Sequence, residues 1–254
     1  MLLLIDAGNT RIKWALADPG AAPGEWLASG AAHHQEDELL ASHWQGQAIQ
    51  RVLMSNVAGA PALQAVQAAL ARCADSGSAG APVIEAFQSC AARAGLRNAY
   101  RDPQQLGADR FASSIGARAL FPGEDLLVAT CGTATTVDVI SADGVFKGGM
   151  ILPGLRLMAQ ALARHTAQLP QVAERMQTGS AFADNTEEAI VLGCLSAQAG
   201  AIERARARLP GARCIISGGA ARMVAPCLDG PATWVENLVL VGLQAAAMEQ
   251  ESAC

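Results

Sequence analysis

Two segments of the chain share one pattern of apolar and polar positions, and each predicts a β-hairpin. The first covers residues 2–16 and turns around Gly8, and the second covers residues 126–140 and turns around Gly132. In both, an apolar run enters a small polar turn and a second run of strand-forming residues leaves it. Glycine adopts conformations that cost other residues free energy, so we expect both turns to require it. Turns of this kind present donors to phosphate oxygens.

The remaining pattern alternates between short apolar runs and segments with helical spacing, which predicts an α/β protein. Further strands are predicted at 25–29, 51–56, 82–87, 145–152 and 213–217. Helices are predicted at 61–74, 109–120, 154–169, 186–209, 220–225 and 238–249, the last of them amphipathic, with a turn at 76–80. Because the second hairpin follows a Phe-Pro-Gly turn, we expect two domains, 1–121 and 122–254.

Composition excludes several classes of protein. The chain has 254 residues, of which 51% are hydrophobic and 16% are charged, so it can bury cores without disulfides. Its net charge is −5 with no run of Lys or Arg, which argues against a nucleic-acid partner. An early strand that contains Asp6 is unlike a secretory leader, and no apolar run reaches the length of a membrane span. We therefore expect a cytoplasmic protein.

The seven cysteines are odd in number and widely spaced, which favours reduced thiols over disulfides or a zinc site. They are Cys73, Cys90, Cys131, Cys194, Cys214, Cys227 and Cys254. The four histidines likewise show no spacing typical of metal ligands. Cys131, inside the second glycine turn, is either a reactive thiol or a small packed side chain.

Six short motifs occur along the chain in a fixed order. They are Asp6-Ala7-Gly8-Asn9-Thr10 with Lys13; Tyr100, Asp102-Pro103 and the segment from Gln105 to Arg110; Gly132-Thr133-Ala134-Thr135-Thr136; the segment from Gly148 to Gly154; Asn185-Thr186; and Ser217-Gly218-Gly219. Together they resemble the type III pantothenate kinases over almost the whole chain. That family belongs to the actin-like ATPase and sugar-kinase superfamily and is related to Bvg accessory factor.

The resemblance implies a fold and a reaction. The fold is α/β, with two actin-like (ribonuclease H-like) domains, each a mixed sheet of five-stranded type flanked by helices, and a cleft between them. The reaction is transfer of the ATP γ-phosphate to the primary hydroxyl of pantothenate, which gives 4′-phosphopantothenate and begins coenzyme A biosynthesis. The family places its catalytic base at Asp109. An Asp near a helix start is also a favoured cap, and the two roles can coexist.

For ATP, the resemblance implies a set of contacts that comes from both hairpins and the double glycine. They are Asp6, Gly8, Asn9, Thr10, Lys13, Gly132, Thr133, Gly218 and Gly219. Asp6 at a strand end suits Mg²⁺, directly or through water, and Lys13 suits the β and γ phosphates. The alternatives are a turn cap for Asp6, a solvated edge-strand cation for Lys13 and a plain strand-to-helix turn for the glycines.

For pantothenate, the resemblance implies a second set of residues. They are Tyr100, Gly107, Ala108, Asp109, Arg110, Ile151 and Thr186. Arg110 either clamps the substrate carboxylate through a forked pair of hydrogen bonds or bridges to Asp109 or a surface acid. Thr186 would reach the site of a neighbouring subunit in a homodimer, or it caps the helix that follows.

One position departs from the family pattern. Many members carry Asp two residues before the second hairpin's glycine, where it is associated with K⁺ or NH₄⁺, and this chain has Thr130. We expect a weakened or altered monovalent-cation site.

Two other functions stay open from sequence. One is an ATP-binding regulatory or accessory protein with little kinase activity, and the other is a different small-molecule or sugar kinase. The presence of Asp6, Lys13, Asp109 and Arg110 argues against loss of activity.

Overall fold

A computed structural model describes residues 1–73, 82–172 and 182–249 of the chain. The predicted turn at 76–80 and Cys254 lie outside these residues. The strands are β1 (Leu2–Ala7), β2 (Ile12–Ala17), β3 (Ala28–Ala32), β4 (Arg51–Asn56), β5 (Ile84–Ala86), β6 (Ala92–Arg93), β7 (Leu96–Asn98), β8 (Leu126–Cys131), β9 (Ala134–Ile140), β10 (Val145–Pro153), β11 (Arg213–Ser217) and β12 (Thr233–Trp234). The helices are α1 (Asp37–Trp44), α2 (Ala60–Cys73), α3 (Ala108–Leu120), α4 (Leu155–His165), α5 (Thr186–Arg206), α6 (Ala221–Val224) and α7 (Leu238–Met248).

The contacts divide the chain into two compact units. Unit 1 comprises residues 1–122, 144–146 and 237–254, and unit 2 comprises residues 123–143 and 147–236. The chain thus leaves unit 1 beside the predicted boundary at 121–122. The predicted division into 1–121 and 122–254 assigned α7 to the second domain. In the structure α7 belongs to unit 1, because it packs on α3.

Unit 1 is built on a mixed five-stranded sheet in the order β3-β2-β1-β4-β5. The predicted first hairpin is confirmed, because β1 pairs antiparallel with β2, while β4 lies parallel on the other side of β1. The strand expected at 25–29 begins instead at Ala28, where Gly30 packs on the Trp14 indole. Helices α1 and α2 cover a core that includes Trp14 and Trp44.

Unit 2 repeats this topology with different residues. Its strands follow the order β10-β9-β8-β11-β12, which matches β3-β2-β1-β4-β5 position by position. The second hairpin is confirmed, since β8 pairs antiparallel with β9, and β11 is parallel to β8. The first two residues of β10 belong to unit 1, where they pair with β7. A mixed sheet with this order of five strands in each unit confirms the predicted α/β fold. In the second sheet β7 and β6 follow β10, so that sheet has seven strands.

Helix α7 differs from the sequence prediction, which made it amphipathic. Residues 238–244 are all buried, because the helix lies between α3 and strands β1, β2 and β4 of the sheet. Gly116 of α3 and Gly242 of α7 meet at the crossing, where a Cβ on either glycine would overlap the backbone of the other helix. The two glycines therefore allow the helix backbones to touch.

Gln244 is a fully buried polar residue in this otherwise apolar helix. Its side-chain oxygen accepts hydrogen bonds from Gly24 N at 2.8 Å and Trp26 Nε1 at 2.9 Å. Its amide nitrogen donates to the carbonyl oxygens of Ala21 at 3.1 Å and Ala22 at 3.0 Å. The buried Gln244 side chain is thus satisfied by the loop between β2 and β3 and fixes that loop to α7.

The remaining predictions on composition concern thiols and membranes. None of the six cysteines in the described ranges forms a disulfide. None of the described helices has the length and apolar character needed to cross a membrane.

Candidate active site

In unit 1, Asp6 and Lys13 lie directly opposite each other near the turn of the first hairpin. Residues opposite in an antiparallel pair project from the same face of the sheet. Lys13 is half-buried, and β3 flanks its strand, so the alternative of a solvated edge-strand lysine is wrong. Burial raises the pKa of Asp6 from 3.8 to about 6, Lys13 opposes that rise, and the charge of Asp109 adds to it. Lys13 and Asp109 therefore both lie close enough to Asp6 to influence its charge.

The turn of the first hairpin is closed by its own backbone. Gly8 N donates to the Arg11 carbonyl oxygen at 3.1 Å, and the next residues, Asn9 and Thr10, are exposed. The expectation that this turn requires a glycine conformation is wrong. Gly8 has no positive φ, and a Cβ there would make an ordinary 3.6 Å contact with the Arg11 carbonyl oxygen. What glycine provides here is a bare backbone that a ligand can approach.

Asp109 occupies the first turn of α3. Gly107 is the N-cap residue of that helix, so Asp109 is not its N-cap. One carboxylate oxygen of Asp109 accepts a hydrogen bond from Arg110 N at 2.8 Å, and a Cβ on Gly107 would lie only 2.7 Å from that same oxygen. Gly107 thus leaves space for the carboxylate, and the half-buried Asp109 is oriented by its own helix.

Arg110 is buried, with only 6% of its surface exposed. Its Nη1 donates to the Tyr100 hydroxyl at 2.9 Å. The guanidinium carbon lies 5.7 Å from the ring centroids of both Tyr100 and Phe146, within the range of cation–π attraction. Tyr100 and Phe146 are themselves in contact at 5.5 Å between centroids. Arg110 is therefore held in place beside the two aromatic rings and the Tyr100 hydroxyl.

In unit 2, the second hairpin turn is closed in the same way as the first. Gly132 N donates to the Ala134 carbonyl oxygen at 3.0 Å. Here too the expected requirement for a glycine conformation is wrong, since a Cβ on Gly132 would lie 3.5 Å from that oxygen. The Thr133 carbonyl oxygen accepts from Gly154 N at 3.0 Å. A Cβ on Gly154 would overlap the turn, so the Pro-Gly motif fixes this hairpin from outside.

The double glycine lies against the same hairpin within unit 2. Ala220 N donates to the Cys131 carbonyl oxygen at 3.0 Å. Gly218 has φ +96°, and a Cβ on it would overlap the Cys131 backbone, so glycine is required there for both conformation and space. The Gly218-Gly219 turn and the Gly132 turn therefore form one surface of unit 2.

The thiol of Cys131 is fully buried beneath these turns. Burial raises its pKa to about 12, and a hydrogen bond with Thr135 only partly offsets that rise. Because the thiolate is the reactive form, Cys131 is a packed side chain and not a nucleophile.

Thr130 is the last residue but one of β8, just before the second turn. Its hydroxyl oxygen is buried and has no hydrogen-bond partner within the described part of the chain. A buried hydroxyl without a partner is costly, and a cation that accepts its lone pair would remove that cost.

Thr186 is the first residue of α5, and the preceding residue caps the helix. The Asn185 side chain accepts from Glu188 N at 3.0 Å, so the alternative that Thr186 is the N-cap is wrong. Thr186 is exposed, and so is Ile151, with 65% of its surface accessible.

Three residues around these sites had no role predicted from sequence. Phe146 backs Tyr100, and His34 contacts the Gly8 carbonyl. Gln198, fully buried in α5, accepts from the Thr135 hydroxyl at 2.6 Å and donates to the Pro153 carbonyl oxygen at 2.7 Å. A lone glutamine in an apolar helix is the one sequence signal among them, because it needs buried partners.

Asp6 is the carboxylate next to the first hairpin turn that could bind a metal ion. The described residues contain no group of three or more His, Cys, Asp or Glu that could hold a metal ion. Mg²⁺ in nucleotide sites commonly uses one or two carboxylates plus phosphates and water, so Asp6 fits that pattern.

A family model described as type III pantothenate kinase matches residues 2–208 of the chain. A type III pantothenate kinase of Janthinobacterium sp. (strain Marseille) is 53% identical, with 100% of both chains covered. The type III pantothenate kinase of Herminiimonas arsenicoxydans is 51% identical, again with 100% of both chains covered.

Solved structures are similar in fold at low sequence identity. A protein from Sinorhizobium meliloti, provisionally named a 2-dehydro-3-deoxygalactonokinase, has a TM-score of 0.60 at 16% identity and covers 97% of this chain and 98% of its own. The activator of the 2-hydroxyisocaproyl-CoA dehydratase from Clostridium difficile, solved with ADPNP, has a TM-score of 0.54 at 13% identity, over 97% and 92% of the two chains. These similarities support the two-domain actin-like fold.

Proposed function

This chain belongs to the type III pantothenate kinase family, and we propose a role in phosphate transfer or substrate binding for each of its site residues. The chain catalyses the ATP-dependent phosphorylation of pantothenate, the first step of coenzyme A biosynthesis. ATP and pantothenate are its substrates. The assignments that follow rest on the geometry within each unit.

Asp109 is the general base that orients the pantothenate hydroxyl and accepts its proton. Phosphoryl transfer asks little of the protein beyond position and charge, so one well-placed acceptor suffices. The observation that carries this assignment is that Asp109 lies close enough to Asp6 for its charge to add to the rise in the Asp6 pKa, which burial mainly causes. A proton acceptor and a metal-binding carboxylate thus lie within reach of one reacting phosphate.

Asp6 holds Mg²⁺, directly or through water. Its carboxylate is placed in surroundings that disfavour its charge, and a bound cation would reverse that penalty. When bound, Mg²⁺ neutralises charge on the transferring phosphate. Lys13, on the same face, offers its ammonium group to the β and γ phosphates, and the bare turn at Gly8, Asn9 and Thr10 offers backbone and side-chain donors.

Arg110 and Tyr100 bind pantothenate. The buried guanidinium, already fixed by the Tyr100 hydroxyl, suits the substrate carboxylate, because a preorganised arginine loses little freedom on binding. The Tyr100 ring gives the apolar part of pantothenate a surface. Gly107 and Ala108 form the start of α3 beside these groups and leave space for the substrate.

In unit 2, Gly132 and Thr133 bind ATP phosphate, and Gly218 and Gly219 lie against the adenosine. The shared surface of these two turns supports the assignment. The buried hydroxyl of Thr130 is a ligand for a monovalent cation, K⁺ or NH₄⁺. Without a carboxylate at this position the cation binds weakly.

The active form is a homodimer in which Thr186 and Ile151 reach the partner's pantothenate site. Both side chains are exposed, and the small residues Gly193, Ala197 and Gly200 form an exposed stripe along α5. Such a stripe suits close packing against another helix. An enzyme that draws on ATP for coenzyme A synthesis works in the cytoplasm, which is where we assign this one.

The decisive experiment compares Asp109→Asn with the wild type in a coupled ADP-release assay with ATP, Mg²⁺ and pantothenate. Turnover should fall by about 100-fold or more, the scale of a lost general base, while ATP affinity stays nearly unchanged. Asp102→Asn is the control, since Asp102 is exposed and Asn preserves its cap on Gln104 N. Turnover within twofold of wild type would remove Asp109 from the mechanism.

The same assay separates the alternative functions. A panel of sugars tested in place of pantothenate should give no ADP release above the rate without acceptor. Rapid turnover of a sugar, with none for pantothenate, would contradict the assigned substrate.

A further inference from the structure

His34 contacts the first glycine turn, although the sequence suggested no role for it. Its Nε2 lies 2.9 Å from the Gly8 carbonyl oxygen. A carbonyl only accepts hydrogen bonds, so Nε2 carries the proton. The other ring nitrogen, Nδ1, is buried and meets no hydrogen-bond partner among the residues described. The contact with Gly8 is therefore the polar interaction that orients this ring.

The topology explains why residue 34 reaches residue 8. Strand β3 pairs with β2 so that its last residue, Ala32, lies opposite Ile12, the first residue of β2. The chain that leaves β3 consequently passes beside the turn that precedes β2. His34 follows Ala32 by two residues and is half-buried at this place.

The hydrogen bond fixes the direction of a whole peptide group. The Gly8 carbonyl and the Asn9 N–H belong to one peptide, and in a trans peptide they point in opposite directions. No described peptide bond is cis. With the carbonyl directed at His34, the Asn9 N–H must point away from the ring, on the exposed side of the turn.

This peptide is one that could easily rotate without such a restraint. A flip changes ψ of Gly8 and φ of Asn9, and glycine tolerates nearly any ψ. Asn is among the residues that most readily accept a left-handed φ. A flipped peptide would direct a carbonyl oxygen, instead of an N–H donor, towards a bound phosphate.

We propose that His34 is a positioning residue for the phosphate-binding turn. It holds the Gly8 carbonyl so that the Asn9 N–H stays available to a phosphate oxygen of ATP. The inference rests on the proposed function, because it requires this turn to bind phosphate. It adds a residue whose side chain acts through the backbone and touches no substrate.

The test uses His34→Leu and His34→Gln in the full-length enzyme. Leucine removes the donor, whereas the glutamine side-chain amide can donate from nearly the position of Nε2. His34→Leu should raise the KM for ATP and the Kd for a non-hydrolysable ATP analogue by roughly three- to tenfold, the effect of losing one hydrogen bond. The KM for pantothenate should change by less than twofold. His34→Gln should restore most of the ATP affinity.

His33→Gln is the matched control, since the His33 side chain is adjacent and exposed. It should behave as wild type. If both His34 variants match wild type in ATP affinity, His34 does not position the turn. If His34→Leu weakens ATP and pantothenate equally and His34→Gln fails to rescue, the residue serves only general packing, and the inference is likewise overturned.

A parallel variant separates this inference from the proposed function. Lys13→Met should weaken binding of the ATP analogue by at least tenfold if the hairpin holds phosphate. Should Lys13→Met have no effect, the phosphate assignment of the hairpin fails. If Lys13→Met weakens binding and His34→Leu does not, the His34 inference alone fails.

Discussion

Replacement of Asp6 by Asn should make the protein more stable while it removes Mg²⁺-dependent ATP binding. Burial raises the pKa of Asp6 from 3.8 to about 6, so its charge at pH 7 is held at a cost. Each tenfold change in an acid constant is worth about 1.4 kcal/mol, so that cost is at most about 3 kcal/mol. Asn has nearly the same shape and no charge. We expect Asp6→Asn to gain about 1–3 kcal/mol in free energy of unfolding at pH 7.

The stabilising effect of Asp6→Asn should depend on pH. Between pH 3.8 and about 6, folded Asp6 retains a proton that the unfolded chain has lost. The stability that protonated Asp6 contributes is therefore complete below pH 3.8 and is lost as the pH rises through about 6. The advantage of Asp6→Asn should shrink to below about 1 kcal/mol near pH 4.

Urea unfolding at pH 7 and pH 4, without nucleotide, measures the effect. Three of the four tryptophans, Trp14, Trp26 and Trp44, lie in unit 1, so fluorescence reports mainly on that unit. Asp18→Asn is the control, because it removes the same charge from an exposed position. The reasoning is refuted if Asp6→Asn is no more stable than wild type at pH 7, or if its advantage is equal at both pH values.

Two further predictions concern the monovalent cation and the dimer. Because Thr130 supplies a hydroxyl and no fixed charge, turnover should rise only about two- to fivefold on titration with K⁺ or NH₄⁺ and stay measurable without them. An absolute requirement for one of these cations, satisfied at a low cation concentration, would contradict this prediction. Sedimentation should give a dimer for the wild type, and Ala197→Glu, on the exposed stripe of α5, should give inactive monomers. A dimeric, fully active variant would exclude that surface.

Sequence pattern located the two hairpins well because each strand is long, apolar and bounded by a polar turn. It also gave β4 and β11 within their observed limits. The two-residue strands β6 and β12 left no signal of that kind. They form because a neighbouring strand already presents a free edge, which depends on tertiary structure.

The candidate active site was likewise predictable from sequence only in part. Asp6 and Lys13 could be paired from sequence once the hairpin was recognised, since its register follows from the turn. The contacts of Arg110 with Tyr100 and Phe146 could not be predicted from sequence, because the packing of α3 beside β7 and β10 brings these three side chains together. The contact of His34 with Gly8 depends likewise on the path taken after β3.

The close crossing of α3 and α7 links the helix that carries Asp109 and Arg110 to residues far along the chain. Asp109 and Arg110 begin α3, and the seat of that helix is completed by Gly242 and its neighbours. During translation, unit 1 therefore cannot finish folding until residues 237–249 have left the ribosome. Until then, the face of α3 that α7 covers stays exposed on the nascent chain, and transiently exposed apolar surface of this kind favours aggregation.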